Sequence, residues 1–253
     1  MRRIAWLSVM IGLATCSTAL AKDAKKEGHP KIDPAKGWKK LLTGNDLAGW
    51  KTFPRWGVGR NGVLARQGAD IWTVDQYGDF ILDLEFRVGP TSNSGVGIRV
   101  SPAPTKKNRT WYRDGALEVQ ILGPKGHKGS QRSVCGAMYD LVTPTKNMQK
   151  KPGQWNRYTI IAKGSKIKVI FNGEKIIDMD LDDWTEVGKN PDGSPNKYRK
   201  PMKVFPRRGH ILLQDHGQPI WFRNIYIKSL DKPAPDTSFQ FKTGGGTPGA
   251  PGS

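Results

Sequence analysis

Apolar side chains recur at every second position along much of this chain: Phe80, Leu82, Leu84 and Phe86; Val96, Ile98 and Val100; Leu117, Val119 and Ile121. Successive side chains leave a strand on opposite sides, so a repeat of two predicts strands with one face in a core. Arg157 to Ala162, Lys166 to Phe171 and Lys175 to Met179 continue the pattern, with Asn172-Gly173 as a two-residue hairpin turn between the last two. His210 to Gln214 and Trp221 to Ile227 complete it, joined by a turn at His216-Gly217-Gln218-Pro219. No long stretch keeps a helical period free of Gly or Pro. A single open sheet of this many strands would leave one face uncovered, so the pattern predicts an all-β, two-sheet jelly-roll sandwich.

The ends of the chain differ from its middle. Met1-Arg2-Arg3, the apolar run Ile4 to Leu13 and Ala19-Leu20-Ala21 form the three-part pattern of a signal peptide over residues 1–21, which implies export to the periplasm or the cell exterior. The run is too short for the roughly 20 apolar residues of a transmembrane helix, and none is expected in the mature protein. Leu13-Ala14-Thr15-Cys16 offers lipid attachment at Cys16 as a lesser alternative. Residues 22–36 read as a flexible linker, 37–230 as the sandwich domain and 231–253 as a disordered tail rich in Gly and Pro. Residues 182–208 break the strand pattern and read as a long surface insertion.

The chain has two cysteines, Cys16 and Cys135, which excludes a multi-bridge scaffold and a four-cysteine zinc site. The formal net charge of +19 suits an anionic glycan or cell surface as partner. Nucleic acid is not expected, because export and the lack of a recognition module argue against it. Phosphate loops, nucleophile elbows and His-Glu-x-x-His helices are absent from the sequence.

Alternation also selects candidate site residues. If Leu117, Val119 and Ile121 enter the core, Glu118 and Gln120 share the opposite face. Arg99 by the same count opposes Val96, Ile98 and Val100, and Gly95 and Gly97 would leave room beside its guanidinium. Asn93 and Ser94 precede them with amide and hydroxyl groups. Gln214-Asp215-His216 closes a strand with an amide, a carboxylate and an imidazole, although taken alone these residues better suit Asp215 as a turn cap and His216 in solvent. Trp111, Tyr112 and Trp221 offer rings for stacking on a sugar, whereas Trp50, Trp56, Trp72 and Trp155 are assigned to packing or loop anchoring. Only one carboxylate lies on Glu118-Val119-Gln120-Ile121-Leu122, which disfavours two-carboxylate glycoside hydrolysis.

Taken as a set, Gly37-Trp38, Leu47-Ala48-Gly49-Trp50, Asp79-Phe80 to Glu85-Phe86-Arg87, Asn93-Ser94-Gly95-Val96, Gly115 to Gln120, Trp155-Asn156, Leu213 to Gly217 and Phe222-Arg223-Asn224-Ile225 resemble the 3-keto-disaccharide hydrolase family. The resemblance implies a concanavalin A-like jelly roll and an exported enzyme that cleaves glycosides already oxidised at carbon 3. A ketone there acidifies the carbon 2 hydrogen, so a base can eliminate the aglycone and water can then add. Glu118 or His216 is the candidate base, and Arg99 or a divalent metal ion would hold the enolate. Asn93, Gln120 and Gln214 would orient hydroxyls, with Asp215 orienting His216. Gly123 departs from the family pattern, which has aspartate there, leaving a metal role at that position in doubt. A non-catalytic carbohydrate-binding module and a basic exported protein held to anionic polymer are the alternatives.

Overall fold

The computed structural model describes residues 28–43, 47–52, 56–65, 68–103, 115–126 and 129–231. In chain order their strands are β1 (Trp38–Lys40), β2 (Trp50–Thr52), β3 (Gly57–Gly59), β4 (Val63–Ala65), β5 (Ile71–Thr73), β6 (Phe80–Val88), β7 (Asn93–Val100), β8 (Leu117–Leu122), β9 (Trp155–Lys163), β10 (Lys166–Phe171), β11 (Glu174–Asp180), β12 (His210–Leu213) and β13 (Ile220–Ser229). They form two antiparallel sheets. The larger runs β11-β10-β9-β6-β13-β4-β3, with β1 also on β13, and the smaller runs β2-β5-β12-β7-β8. The molecule is a concanavalin A-like jelly-roll sandwich. The hairpin expected at Asn172-Gly173 is present, with Phe171 paired to Glu174.

The two inner faces make the core. Phe80, Leu82, Leu84 and Phe86 of β6 and Tyr158, Ile160 and Ala162 of β9 face Val96 and Ile98 of β7, Val119 and Ile121 of β8, and Ile211 and Leu213 of β12, all fully buried. Each large aliphatic or aromatic side chain among them contributes about 1.5–3 kcal/mol. Trp50, Trp56 and Trp72 are buried as expected. Trp155 is not: it stands half-exposed on the outer face of the larger sheet.

Alternation fails at one place on β7. Gly97 pairs with Leu212 and Val100 with His210, so two residues of β7 oppose the single residue Ile211. Arg99 takes a left-handed φ of 53° in this bulge. The phase resets there, and Val100 joins Trp72, Ala116 and Leu212 in a small apolar cluster apart from the main core instead of following Val96 and Ile98.

The stretch 182–208 is also more than a surface insertion, since Trp184, Tyr198, Met202 and Phe205 are buried in the main core cluster. Asn190 fastens it, accepting from Trp184 Nε1 at 2.9 Å and donating to the Asp140 carbonyl at 3.2 Å. Part of the expected linker is likewise ordered against the sheet. His29 Nδ1 lies 2.9 Å from Thr159 Oγ1, and Pro34–Lys36 forms a 3₁₀ turn capped by Asp33. Residues 1–21, Trp111, Tyr112 and the tail beyond Asp231 lie outside the described residues, among which no helix is long and apolar enough to cross a membrane.

Candidate active site

The smaller sheet carries the site on its outer face. On β8, Leu117, Val119 and Ile121 point into the core, which forces Glu118 and Gln120 outward together. Antiparallel pairing sets Gly97 opposite Glu118 and Gly95 opposite Gln120. The glycines serve the carboxylate, not Arg99: a methyl group at Gly95 would overlap Glu118 Oε1. The next strand adds Gln214, whose backbone N–H donates to the Gly95 carbonyl at 2.9 Å and whose side chain hydrogen-bonds Glu118.

Glu118 is only 3 % exposed although it carries an ionisable group. Its cation is Lys197, delivered by the 182–208 segment with Nζ 3.7 Å from Glu118 Oε2. The Lys197 ammonium lies 4.0 Å over the Tyr139 ring and 5.3 Å from that of Tyr198, and its backbone N–H donates to Asp140 Oδ2 at 2.6 Å. Tyr139 is itself fixed by donating its N–H to the Glu118 carbonyl at 2.8 Å. Burial pushes the Glu118 carboxyl up to about 7, and the nearby Asp70 adds to the rise while Lys197 and Gln214 oppose it. Desolvation wins because water is excluded from nearly the whole carboxylate.

Three polar atoms around this carboxylate are buried with no hydrogen-bond partner in the protein: Gln120 Oε1, Gln214 Oε1 and Tyr198 Oη. A native fold rarely leaves such atoms, since each costs about 1–3 kcal/mol. Two are pure acceptors, suited to hydroxyl donors. Gln120 is held in place from its other end, with Nε2 donating to Asn93 Oδ1 at 3.2 Å.

The structure brings Glu118, Gln120, Gln214 and Asn93 together on one face, as the alternation predicts. Arg99 belongs elsewhere. Its left-handed backbone turns the guanidinium toward the larger sheet, where Nε donates to the Gly78 carbonyl at 3.0 Å, Nη1 to the Gly164 carbonyl at 2.7 Å and Nη2 to Asp79 Oδ1 at 3.1 Å. It is a buried clamp between the sheets. Asp215 caps the turn, its Oδ1 accepting from the Gly217 N–H at 2.8 Å while its own N–H donates to Asp70 Oδ1 at 2.9 Å. His216 follows in that turn, exposed. Lys197, Tyr139, Tyr198 and Asp70 were missed. Lys197 sits among many basic residues read as one solvated face, and no spacing in the sequence distinguishes it.

Among the described residues, no group of three or more His, Cys, Asp or Glu side chains converges as a metal site. The side chains present around Glu118 therefore do not form a divalent-ion cage of such ligands.

Comparison with known proteins places the chain in a family. Residues 37–228 match the family model described as a 3-keto-alpha-glucoside-1,2-lyase-like domain. A Bacteroides thetaiotaomicron protein named 3-keto-disaccharide hydrolase is 24 % identical over 237 residues, covering 78 % of this chain and 80 % of that protein. A Parabacteroides distasonis protein whose crystal structure carries a provisional glycosyl hydrolase name is 38 % identical, with a TM-score of 0.69 over 76 % of this chain and 99 % of that one. A second such structure from the same organism is 24 % identical, with a TM-score of 0.67 over 78 % and 96 %.

Proposed function

Because the chain belongs to the 3-keto-alpha-glucoside-1,2-lyase-like family and is a glycoside-acting enzyme, we propose that it cleaves glycosides bearing a ketone at carbon 3 by elimination followed by hydration. The observation that carries this reading is the buried Glu118–Lys197 pair: a carboxyl near neutral pKa beside a fixed ammonium, with unpaired acceptors around them.

In this reading the Glu118 carboxylate takes the proton from carbon 2, forming a carboxylic acid, and the C–H electron pair becomes a carbon 2–carbon 3 enolate. A base with a pKa near 7 is half ionised at neutral pH and still strong enough for the transfer. The Lys197 ammonium faces the negative charge that collects on the ketone oxygen, a role better suited to it than to the fully engaged Arg99. Collapse of the enolate restores the ketone, makes a carbon 1–carbon 2 double bond and expels the aglycone oxygen, which leaves with a proton. The exposed His216, two residues beyond Gln214, is the candidate donor. Water then adds at carbon 1 while carbon 2 regains a proton, giving net hydrolysis. Gln120, Gln214 and Asn93 hold the sugar hydroxyls. Export, read from residues 1–21, is the expected setting.

The test is release of p-nitrophenol from its 3-keto-β-glucoside beside the unoxidised glucoside. Release from the oxidised form alone is expected. Equal release from both, or none from either combined with a thermal shift on adding neutral glycans, overturns the reading.

A further inference from the structure

Lys197 reaches Glu118 from a segment that runs outside the strands of both sheets, so no strand register fixes where its ammonium stands. Asp140 meets that segment twice. Its Oδ2 accepts from the Lys197 N–H at 2.6 Å, and its carbonyl accepts from Asn190 Nδ2 at 3.2 Å. Asp140 is in turn tied to β8. Met138 forms an antiparallel bridge with Val119, the Gln120 N–H donates to the Ala137 carbonyl at 2.9 Å, and the Tyr139 N–H donates to the Glu118 carbonyl at 2.8 Å. The contacts close into a circuit. It runs from the Glu118 backbone through Tyr139 and Asp140 to the Lys197 backbone, and returns through the ammonium, 3.7 Å from Glu118 Oε2. The cation is thus placed beside the carboxylate by contacts that start from the same residue.

The backbone of Asp140 shows that its carboxylate has a purpose of its own. Its φ is 66°, in the left-handed region that glycine takes without strain, so a glycine would serve the turn as well. What glycine lacks is the acceptor for the Lys197 N–H. A bond from a backbone N–H to a carboxylate is charge-assisted and stronger than one to a carbonyl. Arg132 and Trp184 fasten the segment earlier in the chain, at Asp192 Oδ2 and Asn190 Oδ1. Asp140 bonds the lysine residue itself.

We infer that Asp140 is a positioning residue, which acts through Lys197 by setting where the ammonium stands beside Glu118. Its catalytic consequence rests on the elimination reading of the Glu118–Lys197 pair. Lys197 and Gln214 face Glu118 and favour its ionised form, Asp70 opposes it, and the carboxylate in turn acts on Tyr139 and Tyr198. Removing the negative charge of Asp140 would by itself lower the Glu118 carboxyl, whereas letting the Lys197 ammonium drift away would raise it. The two effects have opposite signs, so they can be told apart.

The test is carbon-13 NMR titration of the Glu118 carboxyl in the full-length protein labelled at glutamate, with the resonance identified by its loss in Glu118→Gln. Asp140→Gly keeps the left-handed turn and removes the acceptor. In it the Glu118 midpoint should rise by about half a pH unit or more, and kcat/KM on p-nitrophenyl 3-keto-β-glucoside should fall at least ~10-fold. Asp140→Asn loses the same charge but retains an oxygen for the Lys197 N–H, and should restore both toward the wild type. Thermal unfolding checks each fold, and Asp140→Ala removes the same acceptor without glycine's added chain freedom if Asp140→Gly does not fold. A midpoint unmoved or lowered in Asp140→Gly, an equal rise in Asp140→Asn, or a raised midpoint with kcat/KM unchanged would each overturn the inference. If the wild type leaves the 3-keto substrate intact while the midpoint rises in Asp140→Gly alone, the elimination reading fails and the placement of Lys197 by Asp140 stands.

Discussion

Replacing Glu118 by Gln removes one titration and keeps the side-chain shape, so it isolates the energetics of the buried carboxyl. The folded carboxyl is raised from 4.5 to about 7, mainly by burial. A carboxyl raised by folding destabilises the native state once ionised. Below the unfolded pKa the group is protonated in both states and contributes no difference. As pH rises through that value the unfolded chain releases its proton while the folded chain keeps it, and the deficit is complete above the folded pKa. The shift of about 2.5 units, at ~1.4 kcal/mol per unit, amounts to about 3 kcal/mol. Wild type should therefore lose about 3 kcal/mol relative to Glu118→Gln between about pH 4 and about pH 8, read by urea unfolding at several pH values. Groups remote from Glu118 titrate alike in the two proteins, so the difference curve reports Glu118 together with its coupling to Asp70 and Lys197. A difference flat to within ~0.5 kcal/mol would refute the raised carboxyl and with it the poised base. In the same window, kcat/KM of the wild type on a 3-keto glucoside should climb to a plateau with an apparent pKa near 7.

Lys197→Met removes the cation that opposes the rise at Glu118, so the activity limb should move to higher pH by about one unit or more, and turnover should fall; an unmoved limb would separate Lys197 from the base. Gly95→Ala pushes a methyl into Glu118 Oε1 and should cut kcat/KM at least ~100-fold while the melting temperature changes little, the mark of a displaced group in an intact fold. Arg99→Met strips two carbonyls and Asp79 of their donor and should cost about 3 kcal/mol by urea unfolding, with the activity of the folded fraction kept; a selective loss of activity would return Arg99 to the site.

The alternation of apolar residues revealed the sheets because half-buried strands must alternate, and it carried Glu118 and Gln120 to a common face for the same reason. It misled at Arg99. A bulge inserts one residue without altering composition, so Val96, Ile98 and Val100 look like one phase when they are two. Lys197 was invisible for a different cause: its position depends on Asn190, Trp184 and Asp140, contacts made across a loop with no period. Trp155 shows the limit of assigning tryptophan to packing, since two arginines shield its ring well enough to leave it outside the core.

The unmet oxygens of Gln120, Gln214 and Tyr198 bear on how such sequences drift. Each makes the empty protein less stable than an apolar neighbour of similar size would. Under the proposed function, use of the site is what selects for keeping them. A descendant released from its chemistry should gain stability fastest by exchanging residues 118, 120 and 214 for aliphatic ones, while the inward residues 117, 119 and 121 stay as they are. The two faces of one six-residue strand would then record separate histories, the inner one of folding and the outer one of catalysis.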